Sequence, residues 1–230
     1  MELNKIYNED CIVGMEKIED GSVDLLLTDP PYNISMKSNF HTMGRTGVDF
    51  GEWDKGFDQR TWLEVALKKV RKGGSVVIFN SWKNIGELKE VLEANGFVLK
   101  ELIQWKKTNP MPRNRDRRFI ADYEVAVWAV KPGGKWTFNR LSDTYERPEI
   151  VCKLTPKSEK VNSGHPTQKP VEVMEWLINR LSNESDLILD PFMGSGSTGV
   201  ACMNTNRKFI GIELDEKYFN MVKDRLENIR

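Results

Sequence analysis

The sequence from Asp186 to Gly199 reads DLILDPFMGSGSTG, and the stretch from Lys208 to Glu213 reads KFIGIE. Each contains a short apolar run that is typical of a buried strand. The glycines between them allow the backbone to turn closely into a helix. Asp215 is a capping residue for a last helix that we expect to reach about Ile229. This order of strand, loop, helix, strand and helix predicts an α/β fold.

The same alternation runs through the rest of the chain. Apolar patterns predict strands over residues 3–7, 23–28, 75–79, 97–105 and 123–130, and helices over residues 11–18, 57–71 and 83–94. We expect Gly73-Gly74 to end the second of these helices and Pro170 to begin another. Residues 139–169 carry few apolar side chains and are expected to leave the core. The pattern predicts one α/β domain over residues 1–230, with a mainly parallel sheet and helices on both faces.

The composition excludes several classes of protein. Hydrophobic residues make up 39% and charged residues 30%, which is ordinary for a soluble globular domain. The sequence has no apolar run of the roughly 18 residues that a membrane span needs, and its first residues lack a signal-peptide core, so we expect a cytoplasmic protein. Three widely spaced cysteines without a CxxC pair argue against a disulfide framework and a zinc site, and two histidines argue against a histidine-rich metal site. No metal is predicted.

The predicted strand 23–28 ends in a motif of its own, which reads Thr28-Asp29-Pro30-Pro31-Tyr32. The prolines restrict the backbone, so they hold a carboxylate, a free main-chain carbonyl and an aromatic ring in a small space. Such a set suits a planar group with an amino function, such as a nucleobase with an exocyclic amine. The candidate catalytic residues are therefore Asp29, Pro30, Pro31 and Tyr32. The alternative interpretation is an ordinary turn at the end of a strand.

The glycine-rich loop has two interpretations. Its three glycines match the GxGxxG pattern of dinucleotide-binding proteins, and Glu213 stands about where a ribose-binding acid belongs, which favours a nicotinamide-dependent oxidoreductase. However, residues 190–193 lengthen the turn before the first glycine, which works against close approach of a pyrophosphate. A cofactor with a ribose and no pyrophosphate suits the loop better, because Phe192 offers a wall and Glu213 can bind both ribose hydroxyls. S-adenosylmethionine is such a cofactor.

Basic residues concentrate between Lys106 and Arg118, although the whole chain carries 34 basic and 34 acidic residues. Interleaved prolines prevent a continuous helix there. The stretch favours contact with DNA phosphates and partial reading of bases, whereas a solvated basic face is the alternative. The candidate DNA-binding residues are Lys106, Lys107, Arg113, Arg115, Arg117 and Arg118. Residues 106–118 and 139–169 are the predicted DNA-recognition segments. Residues 33–57 are predicted to form a long mobile loop that closes over the site.

Three motifs together resemble those of the amino-DNA methyltransferases. They are Asp-Pro-Pro-Tyr at 29–32, His-Pro-Thr-Gln-Lys-Pro at 165–170 and Asp-Pro-Phe-Met-Gly-Ser-Gly at 190–196. Their order, with the catalytic motif first and the cofactor motif last, resembles that of the β group, and the resemblance covers nearly the whole chain. Residues 49–54 and 109–114 also look like small bacterial members associated with restriction–modification. The resemblance implies a Rossmann-like S-adenosylmethionine-dependent methyltransferase fold, with a seven-stranded-type sheet in which one strand is antiparallel.

The resemblance also implies positions for the cofactor. Asp10 and Cys11 are expected against its adenine, Glu213 at its ribose, and Thr167 with Lys169 at its carboxylate. The full candidate cofactor-binding set is Asp10, Cys11, Asp29, Thr167, Lys169, Asp190, Phe192, Gly194, Ser195, Gly196, Ser197, Thr198 and Glu213. The alternatives are a helix cap for Asp10, a solvated lysine for Lys169 and a small buried apolar residue for Cys11.

Asp29, the first residue of the Asp-Pro-Pro-Tyr motif, indicates which base is methylated. Asp29 resembles the adenine-N6 members more than the cytosine-N4 members, which often begin this motif with serine. We therefore expect methyl transfer to the N6 amine of adenine in a specific sequence of double-stranded DNA, after base flipping. Cytosine-N4 methylation, a nicotinamide-dependent oxidoreductase and a non-catalytic nucleic-acid binder are the alternatives. The resemblance implies two further partners, a second copy of the chain in a homodimer and a cognate restriction endonuclease that acts on the same site.

Overall fold

The computed structural model describes residues 1–33, 56–112, 115–117, 119–160 and 167–229. Eight strands of these ranges form one sheet, in the spatial order β1-β8-β7-β2-β3-β5-β4-β6. The strands are β1 (Lys5–Asn8), β2 (Val23–Thr28), β3 (Val70–Asn80), β4 (Val98–Lys107), β5 (Tyr123–Val130), β6 (Glu149–Cys152), β7 (Leu187–Asp190) and β8 (Lys208–Glu213). β5 runs antiparallel to both of its neighbours, and all other neighbouring pairs are parallel. The predicted mainly parallel sheet with one antiparallel strand is confirmed, with eight strands rather than seven.

Helices cover both faces of the sheet, as predicted. They are α1 (Cys11–Glu16), α2 (Gln59–Lys69), α3 (Ile85–Ala94), α4 (Val171–Leu181), α5 (Ser197–Asn204) and α6 (Glu216–Glu227). Strand β2 shows how the two layers arise, because successive side chains of a strand point to opposite faces. Leu25 and Leu27 pack with α4, α5 and α6, whereas Leu26 packs with α1, α2 and α3. A strand that is buried on both faces reads as a continuous apolar run.

Two predictions about chain segments were wrong. Helix α2 ends at Lys69 and β3 begins directly after it, so Gly73-Gly74 lies inside the strand rather than ending the helix. Gly73 has a φ of +77°, and a Cβ there would come within 2.5 Å of the Lys135 carbonyl oxygen, so this close approach requires glycine. Residues 149–152 form β6 and pair with β4 instead of leaving the core. β6 reads Glu-Ile-Val-Cys and lies in a segment with few apolar residues, so no apolar run distinguishes it from the surrounding loop.

The three cysteines are buried free thiols. Burial raises the pKa of Cys11 to about 12 and that of Cys152 to about 11, so both are protonated near neutral pH. They therefore behave as small apolar side chains, which was the alternative interpretation of Cys11. Within the described ranges there is no cluster of three or more potential metal ligands, and no helix is long and apolar enough to cross a membrane.

The topology brings the sequence motifs to one edge of the sheet. Strands β1, β8, β7, β2 and β3 are parallel neighbours, so their carboxyl ends lie together. Asp10 follows β1, Asp29 follows β2 and Asn80 ends β3. Asp190 ends β7 and Glu213 ends β8. Two motifs that stand about 160 residues apart in the sequence thus become neighbours.

Candidate active site

A cavity of about 1030 Å³ opens at this edge of the sheet. Every residue of the candidate cofactor-binding set except Gly196 lines it, and so do Pro30, Pro31 and Tyr32. Sites for single ligands are usually about 300–1,000 Å³. The cavity therefore has room for a cofactor and for part of a second molecule beside it.

At one end of the cavity, Asp29 is held by two side chains. The Tyr32 hydroxyl donates a hydrogen bond to Oδ1 of Asp29, and the Lys169 ammonium donates to Oδ2. The Asn84 amide donates to the Tyr32 carbonyl oxygen at 2.8 Å, which fixes the backbone of the motif. Burial raises the pKa of Asp29, and the charge of Lys169 opposes that shift. The motif is therefore a constrained, charged site rather than a simple turn.

Glu124, the second residue of β5, also lies at this end of the cavity, and no sequence motif included it. Oε2 of Glu124 is 3.0 Å from the Lys169 ammonium, and Oε1 is 2.8 Å from the Lys107 ammonium. Lys169 is only 5% exposed, so it is not a solvated lysine. Burial lowers the pKa of Lys169, but the carboxylates of Asp29 and Glu124 raise it by more. A single charged residue at the start of an otherwise apolar strand was the only sequence signal for Glu124.

At the other end of the cavity, Glu213 holds the glycine-rich loop. Its Oε2 accepts a hydrogen bond of 2.8 Å from the Gly194 amide, and its Oε1 accepts one of 2.9 Å from the Asp215 amide. Burial raises the pKa of Glu213 to about 7. Gly196 has a φ of +78°, and a Cβ there would lie 2.6 Å from Cγ1 of Val222. The loop thus needs glycine for its own conformation and packing.

Asp190 was predicted to bind the cofactor, but its carboxylate is engaged inside the protein. It accepts hydrogen bonds from the Thr28 hydroxyl at 2.7 Å, the Thr198 hydroxyl at 2.6 Å and the Phe192 amide at 3.1 Å. Burial raises the pKa of Asp190 to about 6. These contacts join β2, β7 and α5, so the geometry favours a structural role at the base of the cavity.

The glycine-rich loop is also tied to the segment that carries Lys169. The Ser197 hydroxyl donates a hydrogen bond of 2.6 Å to the Lys169 carbonyl oxygen, and the Ser195 hydroxyl lies 3.2 Å from that of Ser197. Arg225 donates to the Ser195 carbonyl oxygen at 2.6 Å. Pro170 directly follows Lys169 as the N-cap residue of α4. The two halves of the cavity are therefore linked through backbone carbonyl groups.

Apolar and capping contacts complete the cavity wall. The Phe192 ring makes edge contacts with Trp62, at 4.9 Å between centroids, and with Phe57, at 5.4 Å. Oδ1 of Asp10 accepts hydrogen bonds from the amides of the first turn of α1, so Asp10 is a helix cap, as its alternative interpretation held. Asp10 and Cys11 nevertheless line the cavity. Asp10 can therefore cap α1 and also contact a ligand in the cavity.

The basic stretch divides into two kinds of residue. Lys107 is 13% exposed, and its ammonium pairs with Glu124 at the cavity. Lys106, Arg115 and Arg117 are exposed. The candidate DNA-binding residues Arg113 and Arg118 lie outside the described residues, as do residues 34–55 of the predicted loop and the His165-Pro166 part of the motif.

Comparison with known proteins gives consistent matches. The model of a protein family described as DNA methylase matches residues 23–224. The Type II methyltransferase M2.LlaDCHI of Lactococcus lactis subsp. cremoris is 35% identical, over 96% of this chain and 88% of that protein. The Type II methyltransferase M2.DpnII of Streptococcus pneumoniae is 34% identical, over 96% and 89%.

Solved structures show the same fold. The M1.HpyAVI–SAM complex is 40% identical and superposes with a TM-score of 0.77, covering 96% of this chain and 98% of that one. The cytosine-N4-specific PvuII DNA methyltransferase superposes with a TM-score of 0.75 over 98% of this chain and 90% of that one. Its identity is 19%, so this second likeness concerns the fold alone.

Proposed function

Because the chain belongs to the DNA methylase family, as an S-adenosylmethionine-dependent DNA methyltransferase of the restriction–modification type, we propose that it methylates the N6 amine of adenine. The substrate is a specific sequence in double-stranded DNA, and the target base leaves the helix to react. The observation that carries this proposal is that Asp29 and Glu213 lie in one cavity, each at the carboxyl end of a parallel strand.

The Glu213 end of the cavity has the chemistry that the cofactor requires. A carboxylate at the end of a strand can accept hydrogen bonds from both ribose hydroxyls. Phe192 offers an apolar wall, and Gly194 lets the backbone approach closely. When bound, S-adenosylmethionine supplies an electrophilic methyl group on a positively charged sulfur. Thr167 and Lys169 line the same cavity and are proposed to bind the carboxylate of the cofactor.

The Asp29 end suits the target amine. The lone pair of an adenine amine is delocalised into the ring, so the amine is a poor nucleophile. Hydrogen bonds from the amine to the Asp29 carboxylate and the Pro30 carbonyl favour a pyramidal nitrogen with a free lone pair. Positive charge develops on that nitrogen as the methyl group transfers, and the buried carboxylate stabilises it. The protein contributes mainly orientation and electrostatics.

The position of Asp29 supports the proposed base flipping. A side chain 19% exposed in a cavity cannot reach an amine inside a duplex, so the base has to leave the stack. Stacking on an aromatic ring is worth about 1–3 kcal/mol per base, which offsets part of the cost of unstacking. Tyr32 is the proposed stacking partner, and its hydroxyl bond to Asp29 holds the ring in a defined place.

Two partners are part of the proposal. The curated relatives are named Type II methyltransferases, which supports a cognate restriction endonuclease for the same DNA site. A homodimer is proposed from the family resemblance, and light scattering on the purified protein tests it. The exposed residues Lys106, Arg115 and Arg117 are proposed to contact DNA phosphates.

The deciding experiment uses methyl-labelled S-adenosylmethionine and plasmid DNA from a host without DNA methylation. After incubation, the DNA is digested to nucleosides and separated. Label in N6-methyladenine supports the proposal, whereas label in N4-methylcytosine overturns the choice of base and keeps the reaction. A single-stranded oligonucleotide of the same sequence, once the site is mapped, tests the duplex requirement.

A further inference from the structure

The ammonium of Lys169 is shared between two carboxylates from different parts of the chain. It donates to Oδ2 of Asp29 and lies 3.0 Å from Oε2 of Glu124. It also lies between two aromatic rings, 5.6 Å from the centroid of Tyr32 and 5.2 Å from that of Phe79. Because Lys169 is 5% exposed, water contributes little to the solvation of this charge. The two carboxylates therefore provide its main stabilisation.

This arrangement conflicts with the proposed chemistry of Asp29. The target amine is to donate a hydrogen bond to the Asp29 carboxylate, but an ammonium already occupies Oδ2. An ammonium on the carboxylate also opposes the positive charge that develops on the amine during transfer. Methyl transfer is therefore favoured when Lys169 withdraws from Asp29 as the amine binds.

The Lys169 ammonium can leave Asp29 because it also contacts a second carboxylate, that of Glu124. A buried charge that loses its only partner is strongly unfavourable, and Glu124 removes that problem. The second oxygen of Glu124 is held by Lys107 at 2.8 Å, which keeps the carboxylate in place while Lys169 moves. Burial raises the pKa of Glu124, but the two lysines lower it by more, so it stays ionised near neutral pH.

We propose that Glu124 is a positioning residue for methyl transfer, which receives the Lys169 ammonium and so frees the Asp29 carboxylate for the target amine. This inference rests on the proposed function, since it concerns the same site. Glu124 does not contact the reacting atoms in this role. It acts through Lys169.

The first test replaces Glu124 by the neutral isostere in Glu124→Gln. Lys169 then keeps Asp29 as its one carboxylate partner among the described residues, so it stays on Asp29. At saturating cofactor, we expect the single-turnover rate of methyl transfer to plasmid DNA to fall by up to about 100-fold. Glu124→Asp keeps the charge and restores part of the rate. Glu93→Gln removes an exposed carboxylate that pairs with Lys89 on α3 and serves as the matched control.

The pH dependence separates this role from a structural one. The titratable groups around Asp29 are Lys169 and Tyr32, Glu124 from β5, Lys107 from β4 and Asp190 from β7. The negative charge of Glu124 raises the pKa of Asp29. In Glu124→Gln, the fall in transfer rate at acid pH, which reports protonation of Asp29, therefore occurs at lower pH, even though the maximal rate is smaller. A variant that only loosens the fold lowers the rate without moving this fall to another pH.

A double variant tests the route through Lys169. If Glu124 acts through Lys169, then Glu124→Gln has little further effect on the rate in a Lys169→Gln background, and the two changes are not additive. Additive losses overturn the inference. So does a Glu124→Gln enzyme with the wild-type rate and the wild-type pH profile.

A measurement without substrate keeps the two proposals distinct. Carboxyl carbon NMR on the free protein follows the titration of Asp29 in the wild type and in Glu124→Gln. A shift of the Asp29 titration to lower pH that is lost in a Lys169→Gln background supports the shared ammonium. An unchanged titration, or a shift of the same size in that background, overturns it. If the wild type transfers no label to DNA, the proposed function fails, while this titration still decides whether Glu124 controls Asp29.

Discussion

The carboxylate of Glu213 accepts a hydrogen bond of 2.8 Å from the backbone amide of Gly194. This bond joins the end of β8 to the loop that follows β7, its parallel neighbour in the sheet. Glu213 thus fixes the glycine-rich loop at the same time as it faces the cavity. Protonation of Glu213 should therefore affect both the glycine-rich loop and the binding of a cofactor.

Cofactor affinity is expected to depend on pH through Glu213. Burial raises its pKa to about 7, so the free protein has mostly the protonated acid at pH 6 and mostly the carboxylate at pH 8. Only the carboxylate accepts strong hydrogen bonds from two hydroxyls. We expect the Kd for S-adenosylmethionine to be about tenfold higher at pH 6 than at pH 8, as a single titrating group allows. Calorimetry at several pH values measures this.

Two variants test this prediction, one at Glu213 itself and one at the nearby Glu216. Glu213→Gln should bind the cofactor weakly at every pH, with a flat profile. Glu216→Gln changes an exposed residue in the first turn of α6 and should keep the wild-type profile. A wild-type Kd that does not change between pH 6 and pH 8 would show that Glu213 does not bind the cofactor as proposed.

Replacing Asp29 should separate cofactor binding from transfer. Asp29→Asn removes the charge that stabilises the developing positive nitrogen, so the rate should fall by about 100- to 1,000-fold. Cofactor affinity should stay near that of the wild type, because Glu213 and the glycine-rich loop are unchanged. Single-turnover transfer and calorimetry measure the two quantities. Asp20→Asn, which alters an aspartate paired with Lys69 away from the cavity, is the control. Equal losses of rate and affinity would contradict the assigned role of Asp29.

A methyl group on Gly196 should destabilise the protein. Its φ of +78° is unfavourable for alanine, and the new Cβ would lie 2.6 Å from Cγ1 of Val222. We expect Gly196→Ala to lower the free energy of unfolding by about 2 kcal/mol. Gly86→Ala is the matched control, because Gly86 lies in α3 with no atom within 4 Å of the added Cβ. That change should raise the free energy of unfolding by about 0.5–1 kcal/mol, and urea denaturation measures both.

Asp190→Ala should lower the free energy of unfolding. The change leaves the hydroxyls of Thr28 and Thr198 and the Phe192 amide without their acceptor in the core. Each unsatisfied buried group costs about 1–3 kcal/mol, so we expect a loss of at least about 3 kcal/mol in the free energy of unfolding. Asp143→Ala, at an exposed position, should have little effect. If Asp190→Ala unfolds like the wild type, Asp190 does not join the strands as the structure indicates.

The salt dependence of DNA binding should distinguish the exposed basic residues from Lys107. Each phosphate contact contributes about 0.9 to the slope of log affinity against log salt concentration. Neutralising Arg115 and Arg117 together should therefore reduce the slope by about 2, whereas Lys107→Gln should leave it unchanged because Lys107 pairs with Glu124. Fluorescence anisotropy with a labelled duplex measures the slopes. Lys89→Gln on α3 is the control, and an unchanged slope in the double arginine variant would remove these residues from the DNA contact surface.

Much of the fold could be predicted because its signals are local. The apolar runs of β2, β5 and β8 are strands in the structure, and Asp215 caps the last helix as its residue type predicts. The errors fall where the local signal is weak or is overridden. Strand β6 lies in a segment with few apolar residues, and Gly73-Gly74 is held in β3 by the sheet rather than acting as a helix end.

The sequence predicted which residues line the cavity better than it predicted the contacts between them. Residues 29–32 and the glycine-rich loop line one cavity, as their motifs implied. Asp190 and Lys107 both line the cavity, and their binding to cofactor and DNA stays a prediction. The sequence did not indicate that Asp190 accepts hydrogen bonds from Thr28 and Thr198, or that Lys107 pairs with Glu124. These contacts depend on how separate elements pack.

The sequence by itself determined the elements, their order and the residues that can bind a cofactor and an amine, because these depend on local patterns and on side-chain chemistry. Only the tertiary structure decided that Lys169 lies between Asp29 and Glu124. These three residues come from the ends of three separate segments, and no local pattern relates them. Their contact arises because the carboxyl end of β2, the amino end of the antiparallel strand β5 and the segment before α4 meet at one edge of the sheet. Water is largely excluded there, so the buried charges have to neutralise one another.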